Sequence, residues 1–293
     1  MPLPRSTPRL TAMAALLMLI AGCSSSTAPV DAEAAADAKA NNDPYESTNR
    51  TSYAINNGLD TVILRPVAIA YNTVLPPFVR SHTHNFLVNL ATPVTLADDM
   101  LQGKPRRAGD SFMRLLINST VGVAGVFDVA TDWGYPQHDT DFGVTLAIWG
   151  FDSGPYLFLP LFGPSSVRDG VGIAGDIGLD PVTYVSGGSA VTAATVGRFA
   201  LAAVDARAGV VRLTDQITRD ALDPYATFRS LYQQHRASQI EETRADDRRT
   251  IPVWFPEAAA AQQAEFARDG AQGQSSAPTP NPPDSVGTAP GLK

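Results

Sequence analysis

The residues equipped for covalent or metal chemistry are few and scattered. The chain has four histidines, His82, His84, His138 and His235, and one cysteine, Cys23. His82-Thr83-His84 offers two ligand atoms with no third metal-binding cluster beside it, so no metal site is expected. His138 sits with Asp139 and Asp141 in what reads as a solvated acidic loop. His235 falls on a helical face where packing or capping is the expected role. No Gly-x-Ser-x-Gly elbow, phosphate loop or paired-glycine nucleotide fingerprint occurs, so neither catalytic residues nor a cofactor are assigned.

The chemistry that remains is recognition by charge and apolar surface. Arg107, Asp110, Arg114 and Asn118 recur so as to form one narrow polar stripe on a helix predicted over 106–124. Phe112, Met113, Leu115, Leu116, Ile117 and Val121 cover the rest. An ordinary surface helix has the opposite balance. This one is either a central core helix or a helix wrapped by acyl chains, and its charges need partners or water. A second unusual surface lies at 150–169. Pro155, Pro160 and Pro164 argue against a regular helix or central strand there. Yet the segment carries Tyr156, Leu157, Phe158, Leu159, Leu161 and Phe162. It is either irregular core or an apolar surface shaped for lipid.

Helices must position these residues, and helix-start chemistry recurs. Asp43-Pro44-Tyr45-Glu46 predicts a cap at Asp43 with Pro at the first helical position. Asp180-Pro181 and Asp223-Pro224 repeat the pattern, and Ser166 with Asp169 predicts another start. Tyr225, Phe228, Tyr232 and His235 share one face of the helix after Asp223. Glycines placed among apolar residues between Gly122 and Gly188 either let helices approach closely or mark turns and helix ends. Nothing after the first twenty residues is long and apolar enough to span a bilayer, and the long alternating strands of a membrane barrel do not recur.

The chain of 293 residues is 44% hydrophobic with a net charge of −7. An acidic chain is poorly suited to nonspecific nucleic-acid binding, and none is expected. Arg5 and Arg9 precede a short apolar run that ends in Ile20-Ala21-Gly22-Cys23, a stretch that looks like a bacterial lipobox. Residues 1–22 therefore read as a lipoprotein signal peptide, with Cys23 as the acylated N-terminus. Ser24 follows rather than Asp, which resembles lipoproteins sorted to the outer membrane. Residues 23–42 form a tether, 43–236 the folded domain, and 237–293 a tail read as largely disordered: charged at first, over 241–249, where a helix could extend into it, and then rich in Pro, Ala and Gln.

Several ordered blocks resemble the MlaA (VacJ) family of outer-membrane lipoproteins. They are Asp43-Pro44-Tyr45-Glu46 with Asn49-Arg50; Arg65-Pro66-Val67-Ala68; Asn85-Phe86; Asn89-Leu90; and Leu101-Gln102-Gly103. Gly154-Pro155-Tyr156, Leu159-Pro160, Gly163-Pro164-Ser165, Arg168-Asp169 and Asp223-Pro224-Tyr225, with Tyr232 and Arg236, complete the set. The resemblance covers about Asp43 to Arg236 and leaves out the C-terminal extension. It implies a mostly α fold: a ring-shaped multi-helix domain with an amphipathic central channel, embedded in the inner leaflet of the outer membrane. It also implies a non-enzymatic role. Such proteins remove mislocalised phospholipids from the outer leaflet and pass them to a periplasmic lipid-binding carrier, beside a trimeric outer-membrane porin. On that footing Arg107, Arg114 and Asn118 become candidates to border the channel, and Tyr156, Phe158 and Phe162 to contact lipid. The competing readings are a membrane-anchored lipase and a structural or partner-binding lipoprotein.

Overall fold

A computed structural model describes residues 41–185 and 187–246; Cys23 and the residues read as signal peptide lie outside them, as do nearly all of those read as tether and tail. The described chain is mostly helical. Helix α1 (Glu46–Leu59) runs through a π-helical turn at Asp60–Leu64 into α2 (Arg65–Val74) without a break, so that Pro66, which has no N–H to donate, follows directly on the widened turn. Then come α3 (Pro77–Leu101), α4 (Pro105–Thr120), the short α5 (Val129–Asp132) and α6 (Phe142–Ile148). A hairpin, β1 (Tyr156–Leu159) and β2 (Gly163–Ser166), leads to α7 (Val167–Leu179) and a 3₁₀ turn at Pro181–Tyr184. The long α8 (Gly188–Asp220) and α9 (Pro224–Ala245) complete it. None of the described helices is long and apolar enough to cross a membrane.

Helix α3 packs along α4, α6 on α7, and α2 on α8; the hairpin lies against α1 and α7. Gly172 makes the α6–α7 contact possible: a Cβ there would stand 2.5 Å from the Gly143 backbone nitrogen. The close-approach reading of the glycines therefore holds at this pair. Helix α8 is fastened largely by polar contacts. Arg207 grips Asp60 at 2.7 and 2.8 Å, Arg65 grips Asp215 at 2.9 and 2.8 Å, and Arg198 pairs with Asp180.

Two expectations need correction. Asp43 does not cap α1: Tyr45 holds the N-cap position without a side-chain bond, and Asp43 turns into the interior. The 150–169 segment contains a regular hairpin, pairing Tyr156 with Ser166 and Phe158 with Pro164. A two-stranded ladder leaves each strand an open edge, where a residue without an N–H is tolerated. The helix after Asp223 runs past Arg236 to Ala245, the extension that the charged segment left open. The other starts hold: Ser166 accepts from the Asp169 amide, Asp180 from Val182 and Asp223 from Ala226.

The burial pattern is inverted. Among the described residues, the buried polar and charged side chains outnumber the buried hydrophobic ones, twenty to twelve. Meanwhile Val62, Val74, Phe78, Phe112, Leu161 (79%) and Phe162 (58%) are exposed. In a water-soluble monomer, Asp and Arg side chains are almost never fully buried unless paired, and large contiguous apolar patches are rare.

Candidate functional site

The polar interior has three linked parts. The first joins the ends of the fold. Asp43, fully buried, accepts from Asn49 Nδ2 (2.8 Å), Tyr225 Oη (2.5 Å) and Arg229 Nη1 (2.6 Å). Asn49 also donates to the Tyr156 carbonyl and accepts from the Phe158 amide, tying β1 into the same knot. Tyr53, Phe158 and Tyr225 pack edge-on around it, with ring centroids 5.4 Å apart for Tyr53 and Phe158.

The second part is the polar stripe of α4. Arg107, Asp110, Arg114 and Asn118 are all buried, while Phe112 and Leu116 face out. Arg114 donates to Thr131 Oγ1 and the Tyr135 carbonyl (both 2.7 Å) and to Asp128 Oδ2 (3.1 Å). Asn118 donates to Asp128 and accepts from the Ala130 amide. Burial works against the Asp128 carboxylate, but bonds from Thr131, Asn118 and Arg114 outweigh it and hold its pKa below the usual value. Arg107 lies 3.6 Å from the buried Asp99. A cavity of about 350 Å³ is lined by Arg107, Asp110, His138 and His235, and one of about 210 Å³ by Arg114, Ser111 and His138.

The third part centres on Arg236 of α9. It donates to both oxygens of Asp141 (2.6 and 2.8 Å) and to Asp169 Oδ2 (2.8 Å). Gly143 makes room for it, since a Cβ there would come within 2.6 Å of both Arg236 Nη2 and Asp169 Oδ1. Beside it, Asp98 and Asp176 form a pair pushed up in pKa first by burial and then by neighbouring carboxylates. Asp98 receives Thr145 Oγ1 at 2.9 Å, and the two carboxyl groups hydrogen-bond to each other.

Of the sequence candidates, Tyr156 and Phe158 lie in the core, Tyr156 lining a cavity of about 560 Å³, and Phe162 stands exposed at the hairpin tip. Sequence reasoning missed Asp98 and Asp99. Adjacent carboxylates near the end of an otherwise mostly apolar helix were the available signal. It also misread His138, which is half-buried and bonds through Nε2 to Asp99 at 2.9 and 3.0 Å. Ser111, His138 and Asp99 thus meet, but not as a nucleophilic relay. Such a relay places the imidazole between serine and carboxylate, using both ring nitrogens. Here the same Nε2 faces both partners, and Ser111 Oγ gives its proton to Asp99 at 2.6 Å. His84 pairs with Asp205, and no group of three or more metal-ligating side chains occurs among the described residues.

The family model described as MlaA lipoprotein matches residues 41–239. The chain is 35% identical over 229 residues to the intermembrane phospholipid transport system lipoprotein MlaA of Escherichia coli (strain K12), covering 76% of this chain and 85% of that protein. The protein of the same name in Haemophilus influenzae is 31% identical, covering 69% and 80%. An uncharacterized protein of Rickettsia felis is 34% identical, covering 68% and 78%. A solved structure described as the structural basis for maintenance of bacterial outer membrane lipid asymmetry matches with a TM-score of 0.59 and 30% identity. That match covers 68% of this chain and 98% of the solved one.

Proposed function

The chain belongs to the MlaA lipoprotein family, and from that premise we propose that it takes phospholipids misplaced in the outer leaflet of the outer membrane and passes them to a periplasmic carrier. The observation that carries this reading is the inverted burial: charged and polar groups inside, large apolar side chains outside. A phospholipid needs polar groups for its phosphate and an apolar path for its chains. A protein resting in one leaflet needs an apolar exterior and no spanning helix. In this reading the helices form a ring around an amphipathic channel, and Cys23 carries the acyl anchor in the inner leaflet, beside a trimeric porin. Arg107, Arg114 and Asn118 belong to the polar inner face, Tyr156 and Phe158 to the wall behind it, and Phe162 to the lipid-facing exterior. The role is transfer, without covalent chemistry.

The test is a deletion strain complemented with the wild-type gene. Loss of the protein should raise the phospholipid that an added phospholipase can reach at the cell surface and increase sensitivity to detergent with chelator; complementation should reverse both. Wild-type levels in the deletion strain would sink the transport reading. Phospholipid hydrolysis by the purified protein would replace it with the lipase reading.

A further inference from the structure

The cavity of about 560 Å³ lies between the 150–154 loop, the start of α7 and the outer half of α9. Two of its lining side chains have donors left over. Arg168 is buried, and its hydrogen bond within the described chain runs from Nε to Asp169 Oδ1 at 2.9 Å. The second oxygen of Asp169 is already taken by Arg236 and the Tyr232 hydroxyl. That leaves the Nη edge of Arg168 unused. The Tyr156 hydroxyl is buried with no partner among the described residues, on a residue only 1% exposed. Burial holds that hydroxyl protonated, so it too is a donor. The backbone amides at the start of α7 are spent: Val167 bonds to Pro155, Arg168 to Ser153 and Asp169 to Ser166. The site is therefore built from side chains.

A guanidinium edge and an orphan hydroxyl together want an anionic group rich in acceptor oxygens. At the mouth stand the exposed carboxylates of Asp152 and Glu241, with no hydrogen bond or ion pair shown among the described residues, and the exposed Arg244 lines the same rim. Asn42 closes one side, donating to the Gly154 carbonyl at 2.7 Å and accepting from the Tyr156 amide at 2.8 Å.

We propose that this cavity is a headgroup subsite that holds a lipid phosphodiester on Arg168 and Tyr156, with a primary ammonium reaching Asp152 and Glu241 at its mouth. The inference rests on the phospholipid-transfer reading and assigns that lipid a zwitterionic headgroup. A headgroup without an ammonium offers Asp152 and Glu241 no cation and binds less well.

The experiment is calorimetric titration of the full chain in neutral detergent. The probes are dihexanoyl phosphatidylethanolamine, dihexanoyl phosphatidylglycerol, glycerophosphoethanolamine and inorganic phosphate. The variants are Tyr156→Phe and Arg168→Gln. The expected result is binding of the ethanolamine lipid, weakened about tenfold by either variant, as loss of one charge-assisted or buried hydrogen bond implies. Without ligand, Tyr156→Phe should melt at or above the wild-type temperature, because no protein group loses a bond. Glycerophosphoethanolamine should bind more weakly but with the same sensitivity to Tyr156→Phe. Equal affinity of Tyr156→Phe and wild type overturns the subsite. So does a lower ligand-free Tm in Tyr156→Phe, which would make the hydroxyl structural. Inorganic phosphate binding as tightly as the lipid would make it a free-phosphate site, and tighter binding of the glycerol lipid would remove the role given to the mouth carboxylates. If the subsite fails while the deletion strain still exposes surface phospholipid, the transport reading stands alone; a deletion strain without that phenotype fails the reading itself.

Discussion

Replacing Asp43 with Ala should damage the fold more than almost any other single change, and the size of the loss can be worked from its three partners. Arg229 is buried and would keep a 4.0 Å contact to Glu46 and its place 5.5 Å from the centre of the Tyr225 ring. A buried charge stripped of its partner costs about 3–5 kcal/mol, and the residual contact favours the lower end. The Tyr225 hydroxyl would lose the one partner shown for it, adding about 1 kcal/mol or more. Asn49 keeps its bonds to the Tyr156 carbonyl and Phe158 amide and adds little. A total of about 4 kcal/mol corresponds to a fall in Tm of about 8–16 °C for a domain of this size. The assay is thermal melting followed by helical circular dichroism, on Asp43→Ala, Arg229→Met and the double variant. The double variant should cost less than the sum of the two, because removing both charges removes the stranded one. A loss under about 1 kcal/mol for Asp43→Ala, or strict additivity of the pair, would refute the argument.

Three further outcomes follow from the same geometry. Arg114→Leu should cost about 3 kcal/mol and lower the amount of protein that accumulates, since Asp128 and the Tyr135 carbonyl lose their charged donor; an unchanged melting curve would show those contacts to be dispensable. Gly172→Ala should destabilise by about 2 kcal/mol or more through collision with the Gly143 backbone. Gly109→Ala, on an open helix face, should be neutral or slightly stabilising, and equal melts for the two variants would undo the close-packing account of α6 and α7. Burial, then nearby carboxylates, lifts Asp98 from 3.8 to about 8 and Asp176 to about 6, so the folded chain keeps protons that the unfolded chain has released. Stability contributed by this pair should therefore fall as pH rises from about 4 to about 8 and level off above, and Asp98→Asn should flatten that window; a steeper fall in the variant would reverse the sign of the argument.

What could be read from the sequence was mostly local. The caps at Ser166, Asp180 and Asp223 depend on a residue and its neighbours within one turn, and all three appear as expected. The α4 stripe was visible as spacing, but not its direction: periodicity fixes which residues share a face, not what that face meets. It meets the interior, where the stretch after Thr120 folds back to bring Asp128 and Thr131 to Arg114. Asp43 failed for the same reason. Its local pattern is a good cap, but three partners, two of them on α9, outbid one backbone amide. The hairpin was hidden by its prolines, because a rule written for central strands does not bind a two-stranded ladder. His138 was illegible for want of any sequence-local partner, and the Asp98–Asp99 pair showed only as adjacent carboxylates on a mostly apolar helix, with nothing nearby in sequence to say what they meet.

The knot at Asp43 also sets an order of events. Its bonds span 182 residues to Tyr225 and 186 to Arg229, which is nearly the whole of the described chain. Contacts of such separation carry a large loop-closure cost and form late. A chain made from its N-terminus presents Asp43 early, but that carboxylate must wait for α9 before it is satisfied. The end that lies nearest the proposed anchor is thus the first to emerge and among the last to be locked. A chain stopped before Pro224 would keep the proposed attachment residue and the hold of Asn49 on the hairpin, but would leave the buried Asp43 without Tyr225 and Arg229, and so its first helix would be more open to proteolysis.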